Sequence, residues 1–385
     1  MAFASAENQA ALFGTRLVIM SAIFVVLSVG SAACTEAQEQ KSSDESWTAT
    51  TENAVAYGNP ARVTQSHTKS GDRTVDKQRV EVIGTDGHYR PDSETETETV
   101  RVNDTTTRTV VRTYRWDGNG RRVLAEVSEE NAHSTSGGDG QAVRTTSRSD
   151  VNGNLQVVKR EETDTKKTSP DAQETKTKVY TADGYGGLTM ALETQEVQKR
   201  GANDSTEVKK TTLVPDGNGN WTVGQVKEKT IKQDGKNRTT EERISQPDTE
   251  GRLSELSRTR SEETEDAAGE KSSTVDTYSR NAPGSSDDTS MYRTQRVTTV
   301  QKKSSDGEII EQQVEQPKWG NPSDGPQVTA KAKYTVRYAA SGSDTTKTVQ
   351  VRDANGNFNV VSVETRKSDQ PPPPQAPKPP SEKPQ

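Results

Sequence analysis

The sequence predicts an all-β protein, built as a repetitive antiparallel meander of β-hairpins. The first observation is a recurring turn, which is fullest as Asp-Gly-Asn-Gly-Asn from Asp216, between two β-prone runs. Asn-Gly in that setting is a strong hairpin signal. Related turns begin at Asp117, Asp150, Asp183, Asp248 and Asp353. The second observation is their spacing: the steps from Asp117 to Asp248 are 33, 33, 33 and 32 residues, which indicates a repeat architecture.

Alternation of side chains between the turns is the third observation. On both sides of the turn at Asp117, apolar residues fall on one face and Thr, Arg and Glu on the other. One-sided alternation is typical of an antiparallel sheet with a single apolar face. A two-residue turn predicts a register in which Trp116 lies opposite Val123 and Arg112 opposite Val127.

The Asn-Gly pairs are predicted to be structural turn residues. Each pair is expected to supply the central residues of a type I′ turn, where both residues need a positive φ. The four pairs are Asn119 and Gly120, Asn152 and Gly153, Asn218 and Gly219, and Asn355 and Gly356.

The composition predicts a sheet without a thick core. Only 27% of the residues are hydrophobic and 4% aromatic, well below the roughly 45–50% apolar content of ordinary domains. Two strands per unit give roughly 16 strands in a long, thin, twisted sheet, either open or curled. An outer-membrane barrel needs a continuous apolar outward band, and strands such as Glu174–Thr181 do not provide one.

Four segments make up the predicted domain organisation. Residues 1–33 are interpreted as a signal peptide with a helical apolar core, because the apolar run Leu17–Val29 is followed by small residues. A retained membrane anchor is the alternative. Residues 34–55 are expected to be a flexible polar spacer and residues 56–368 the hairpin repeats. Residues 369–385 are expected to form a disordered, Pro-rich, extended tail.

The only cysteine, Cys34, directly follows the small residues at the end of the signal. Ala32-Ala33-Cys34 resembles the end of a bacterial lipoprotein signal, which would imply a lipid anchor on Cys34. A cysteine that merely lies beside the cleavage site is the alternative. The apolar run is shorter than the roughly 20 residues that a transmembrane helix needs. The mature chain is therefore expected to have no membrane span.

Motifs that carry chemistry are missing from the sequence. His67, His88 and His133 are scattered among polar residues without metal-ligand spacing, and the chain has no P-loop or Gly-x-Ser-x-Gly elbow. We therefore predict neither enzymatic activity nor a cofactor. Charges of both signs alternate around a net charge of −6, so a nucleic-acid partner is not expected.

Calcium binding at the turns is an alternative that the sequence leaves open. Asp150, Asn152, Asn154 and Glu161 stand at positions 1, 3, 5 and 12 of a calcium loop. The glycine expected at position 6 is replaced by Leu155. Turn chemistry by itself accounts for the same composition, because Asp, Asn and Gly are the residues that tight turns favour.

The leading functional hypothesis from the sequence is an exported structural or adhesive scaffold. It would be secreted, periplasmic or on the cell surface, and would present a polar Thr-rich face to a protein or glycan partner. The Asp-x-x-Gly-Asn/Arg turn followed by a strand resembles the turn of YD-type repeats of bacterial cell-surface proteins. The alternatives are a module that binds glycan or Ca²⁺ at the turns, and a largely disordered surface protein.

Overall fold

The computed structural model describes residues 45–56, 59–201, 204–216, 218–280, 291–318, 325–339 and 342–369. The predicted signal, Cys34 and the tail from residue 370 lie outside these residues, as does the spacer up to residue 44.

Twenty β-strands make up the described part of the chain. The first ten are β1 (Glu45–Ala56), β2 (Asn59–Ser70), β3 (Arg73–Ile83), β4 (Tyr89–Asn103), β5 (Thr106–Trp116), β6 (Arg122–Ser134), β7 (Gly140–Ser149), β8 (Leu155–Ser169), β9 (Ala172–Ala182) and β10 (Leu188–Arg200). The last ten are β11 (Ser205–Pro215), β12 (Trp221–Asp234), β13 (Asn237–Pro247), β14 (Leu253–Glu265), β15 (Lys271–Arg280), β16 (Met291–Ser304), β17 (Gly307–Pro317), β18 (Pro326–Ala339), β19 (Gly342–Arg352) and β20 (Phe358–Ser368).

The strands form a single closed antiparallel barrel. Each strand pairs with the next in sequence, and β1 also pairs with β20 over four residues, so the sheet closes on itself. The closing register runs from Ala49 opposite Ser368 to Glu52 opposite Thr365. The predicted all-β hairpin meander is confirmed, but the open or merely curled sheet is wrong. Over these four pairs, closure joins the two edge strands that an open sheet of this size would leave unpaired.

The predicted count of about 16 strands is also wrong, because strands continue outside the phased turns, from β1 in the predicted spacer through the region after Asp248. Strands also run through polar stretches that resemble loops in the sequence. β8 continues to Ser169, although its second half is Thr, Asp and Lys. Cross-strand hydroxyl contacts hold this part in place, with 3.1 Å between the Oγ1 atoms of Thr163 and Thr177. β1 likewise occupies residues 45–55 of the predicted spacer.

The phased Asp-led turns lie at one end of the barrel, which we call the turn end, whereas a similar loop, Asp266–Glu270, lies at the other end. The turn-end loops are Asp117–Arg121, Asp150–Asn154, Asp183–Gly187, Asp216–Asn220, Asp248–Arg252 and Asp353–Asn357, together with Gly84–His88. β1 begins and β20 ends at the opposite end, which we call the terminal end.

The turn-end loops are one residue longer than the predicted type I′ turns. In the first of them, the Asp117 amide donates to the Arg121 carbonyl at 3.0 Å, and the Gly120 amide donates to the Asp117 carbonyl at 2.9 Å. Gly120 has a φ of 74°, whereas Asn119 has a negative φ. This is a three-residue loop, a turn closed by a left-handed glycine. It places Trp116 opposite Arg122 instead of Val123.

A β-bulge follows each of these loops at a fixed distance. In β6, Ala125 is an extra residue that has no partner in β5. It shifts the register by one residue, so that Arg112 lies opposite Val127, as predicted. Equivalent shifts fall at Val158, Ala191, Gly224, Leu256 and Val361, eight residues after the leading Asp of each loop. The 33-residue period is thus a repeat of loop and bulge together, and bulges are frequent at barrel rims.

Candidate functional site

The barrel wall has an inner and an outer face that differ in exposure. Along β17, Ile310, Gln312 and Val314 are 9%, 6% and 6% exposed, whereas Ile309 between them is 39% exposed. Side chains on the concave face of a closed sheet converge, so the crowded set is the inner face. Residues paired across the ladder share a face. Following the paired residues from strand to strand, and through the bulges, assigns each strand residue to one face.

The inner face is rich in short polar side chains. Thr163 and Thr165 of β8 lie opposite Thr177 and Thr175 of β9, and Thr177 lies opposite Thr194 of β10. The hydroxyl pair of Thr165 and Thr175 is 3.2 Å apart. Threonine hydroxyls can bind water, so this part of the wall is suited to contact with water.

A cluster of charges also lies on the inner face, near mid-height. Lys210 of β11 lies directly opposite Lys227 of β12, an unfavourable placement of like charges. Each lysine has an acidic neighbour on its other side. The Nζ atom of Lys210 lies 3.7 Å from Oε2 of Glu196, and the Nζ atom of Lys227 lies 2.8 Å from Oε1 of Glu242. The inner wall can therefore interact with solutes of either charge.

A round barrel of this strand number would enclose a lumen wider than these side chains can fill. Twenty strands spaced by about 4.8 Å and tilted by about 40° give a circumference of roughly 125 Å and a backbone diameter of about 40 Å. Barrels of sixteen to eighteen strands already leave an aqueous channel. Short residues such as threonine reach only a small way into a lumen of that width.

The outer face carries ladders of opposite charges over most of its height. Glu96 of β4 lies between Lys77 of β3, at 3.0 Å, and Arg112 of β5, at 3.6 Å. Asp276 of β15 pairs with Arg296 of β16 at 2.7 Å. These pairs explain why charged residues are tolerated on neighbouring strands without repulsion.

Next to the turn-end loops the outer face is apolar instead. The outward residues five and seven positions after the leading Asp are mostly large and apolar, and the positions one and three before it add four more large apolar residues, on β5, β9 and β11. The apolar belt comprises Tyr114, Trp116, Leu124, Leu155, Val157, Tyr180, Leu188, Met190, Leu213, Trp221, Val223, Leu253, Phe358 and Val360. Several members are exposed, including Leu155 at 47%, Leu253 at 52% and Val360 at 54%.

The belt extends about 7 Å along each strand, since it covers two outward positions. Porin walls carry an apolar band about 25 Å tall. The belt was not predicted from the sequence as a continuous outward surface. Its signal was present, because the same offsets from each leading Asp repeat through the chain.

The loops themselves are fixed by their leading aspartates. The Oδ1 atom of Asp150 accepts hydrogen bonds from the amides of Asn152, at 2.8 Å, and Asn154, at 2.9 Å. The amide of Asn154 is the main cause that lowers the pKa of Asp150 below its usual range. Asp216 has a lowered pKa for the same reason, with the amide of Asn220 as the main donor.

The predicted turn residues are thus brought together at the turn end, where their role is to shape loops. The three histidines are not brought together. His67 stacks on Trp47 with ring centroids 5.7 Å apart, and its Nδ1 lies 2.6 Å from Asp76. His133 lies beside Thr106 at the terminal end, and His88 lies in a turn-end loop.

Neither a cluster of metal ligands nor a membrane-spanning helix occurs among the described residues. No group of three or more His, Cys, Asp or Glu side chains in these ranges could hold a metal ion. Within the same part of the chain, no helix is long and apolar enough to span a membrane.

Comparisons with known proteins give only remote similarities. No protein-family model matches the chain, and no curated protein matches it. Among solved structures, OmpF of Salmonella typhi in complex with daunomycin aligns at 11% identity over 84% of this chain and 96% of its own, with a TM-score of 0.33. A porin-like protein from Bacteroides uniformis aligns at 14% identity over 71% and 94%, with a TM-score of 0.12. A Bacteroides fragilis protein of unknown function aligns at 12% identity over 43% and 89%, with a TM-score of 0.20. Similarity at this level does not establish a common fold.

Closure of the sheet corrects the functional hypotheses drawn from the sequence. An open scaffold with a long adhesive face is wrong, because the sheet curls back on itself and half of its side chains face a lumen. A largely disordered chain is wrong, because strands occupy most of residues 45–369. The ligand-binding alternative fails at its turn residues, since Asp150 already uses Oδ1 to accept two amides of its own loop.

The expected lack of a membrane span is corrected as well. It rested on the shortness of the apolar run near the N-terminus and on the lack of a continuous apolar outward band in strands such as Glu174–Thr181. The sheet closes into a barrel, and a closed barrel is the one form in which strands cross a bilayer.

Proposed function

We propose that this chain is an exported, porin-like barrel of a bacterial outer membrane. Its lumen is a water-filled passage for small polar solutes. The observation that carries the proposal is the closure of 20 strands around an inner face of threonines and paired charges.

The width of the lumen sets the expected selectivity. A backbone diameter of about 40 Å leaves a passage roughly 30 Å across, once a layer of side chains about 5 Å deep is subtracted on each side. Sugars and other small hydrophilic molecules are much smaller than this. The passage is therefore expected to select by size and not by recognition of one solute.

A permeation assay tests the proposal. The full chain is reconstituted into liposomes, and entry of a small sugar is compared with entry of a dextran wider than the lumen. We expect the sugar to enter and the dextran to be excluded. Liposomes that bind the protein and remain impermeable to both solutes would refute the passage.

Two adjacent residues of β9 give a matched pair of variants. Thr177 faces the lumen, and Lys178 faces outward at the same height. In a Cys34→Ser background, Thr177→Cys and Lys178→Cys are each labelled with a bulky maleimide polymer. We expect the label to slow sugar entry in the Thr177→Cys variant and to leave the Lys178→Cys variant unchanged. Equal effects of the two labels would contradict the assignment of Thr177 to the passage.

A further inference from the structure

The apolar belt is a large exposed hydrophobic feature in a wall that is otherwise charged. Of its members, Leu188 is 38% exposed and Trp221 is 37% exposed. Large apolar side chains that stay exposed together mark a surface that contacts a partner. We propose that this partner is the interfacial region of a lipid bilayer, so that the barrel meets the membrane with its turn end. This inference rests on the proposed function and specifies which end of the barrel contacts lipid.

The shape of the belt favours a bilayer, and not a protein, as the partner that covers it. Belt residues occur on most strands from β5 to β14 and again on β20, all at one level beside the loops. On β3, β4, β15, β16 and β18, outward apolar residues continue this level round the wall, namely Ile83, Tyr89, Tyr278, Met291 and Val328. A protein that docks from the side would cover only a few of these strands. A second copy stacked on the turn end would cover the loops and leave the outer wall exposed. A planar bilayer contacts the wall all the way round.

The chemistry of the belt also suits the lipid–water boundary. Trp116 and Trp221 flank the loops, and aromatic residues of this kind are enriched at membrane interfaces. The guanidinium of Arg122 lies 3.4 Å from the centroid of the Tyr114 ring. A cation held on an aromatic ring keeps a charged group at the boundary while the ring faces hydrocarbon.

The loops beyond the belt carry apolar tips. Val151 is 102% exposed and Tyr185 is 99% exposed, each at the tip of its loop. Neither side chain has packing that would explain an apolar residue at that place. Insertion of the turn end would remove both side chains from water.

The belt ends abruptly on the side that faces the terminal end. On β10 the outward residue after Met190 is Glu193, which is paired with Lys176 at 2.8 Å. The charged ladders begin at this level. The first strand, β1, begins at the terminal end, and the last strand, β20, ends there. The start and the end of the barrel therefore both lie away from the belt.

One leucine-to-aspartate variant and one isoleucine-to-aspartate variant test the inference. Leu188 lies in the belt, and Ile309 lies on the same outer face at the terminal end with nearly the same exposure, 39%. Binding of the full chain to phosphatidylcholine vesicles is measured by flotation. Removing one leucine from lipid contact is expected to weaken binding about tenfold or more. We expect that loss for Leu188→Asp and no change for Ile309→Asp.

A second belt variant and a fold control complete the experiment. Leu253→Asp should repeat the loss, and circular dichroism should show that all three variants keep the wild-type β-structure and thermal midpoint. Equal loss from Ile309→Asp would overturn the inference. So would a wild-type protein that does not bind vesicles and self-associates through the belt, seen as a light-scattering mass that drops in the Leu188→Asp variant.

The permeation assay separates this inference from the proposed function. Vesicle binding that depends on Leu188, without any entry of sugar, supports the belt and refutes the passage. Sugar entry that persists at equal bound protein in both aspartate variants, with no difference in their vesicle binding, supports the passage and overturns the belt as the lipid contact.

Discussion

The pairing of β1 with β20 allows a direct test of barrel closure. Thr50 and Lys367 are opposite each other in this seam, on the outer face. Directly opposed residues of antiparallel strands have Cα atoms about 4.5–5.5 Å apart, which is within the range that a disulfide spans. In an open sheet of 20 strands the same residues would lie roughly 90 Å apart, at about 4.8 Å per strand. The double variant Thr50→Cys, Lys367→Cys is therefore expected to form an internal disulfide only if the barrel closes.

The disulfide should also stabilise the fold by a calculable amount. It would close a loop of about 320 residues, for which the chain-entropy relation gives roughly 5–6 kcal/mol at 25 °C as an upper bound. The Cys34→Ser background removes the one native thiol. Intact mass and thiol titration report the bond, and denaturant unfolding with and without reductant reports the stabilisation.

The control places the second cysteine across the barrel. Thr230 of β12 faces outward on the opposite wall, about 40 Å from Thr50 by the estimated diameter. The variant Thr50→Cys, Thr230→Cys should keep two free thiols. Free thiols in the seam variant under the same oxidising conditions would refute the closed barrel.

Two further predictions concern the turn-end loops. Gly219 has a φ of +83° and open space around the position of an added Cβ, so Gly219→Val should cost about 1–3 kcal/mol through backbone strain alone. Thr222→Val is the control, and equal denaturant midpoints would contradict the left-handed loop. The lowered pKa of Asp150 means that its charged form stabilises the fold above about pH 4, and that this contribution is lost as the pH falls through the folded pKa. Asp150→Asn should thus be less stable than wild type at pH 7 and equally stable near pH 2, and a gap that does not change with pH would exclude this role.

The sequence by itself determined the local structure of the repeats. Phased turns led by Asp117, Asp150 and Asp216 are a local signal, because a left-handed glycine and a carboxylate that accepts its own loop amides need no distant partner. The strands between them follow from Thr content and alternation. Hairpins joined in sequence order then give an antiparallel meander, so the fold class followed from the sequence.

The register beside the turns was not determined in the same way. A two-residue and a three-residue loop leave almost the same sequence signal, and they differ by one residue in pairing. The position of Trp116 opposite Arg122 depends on that difference, and the bulge at Ala125 then restores the pairing of Arg112 with Val127. Neither the added loop residue nor the bulge has a distinctive residue type.

Closure was decided only by the tertiary structure. The residues of β1 and β20 that meet are ordinary polar strand residues such as Thr50 and Lys367, more than 300 positions apart. Their pairing depends on the sum of twist, tilt and stagger over all 20 strands, to which no single segment contributes a recognisable pattern. The same summation decides which face is the lumen, and only then does the alternation around Leu188 become an outward belt. The sequence therefore predicted the hairpins, and the closed sheet gave them an inside and an outside.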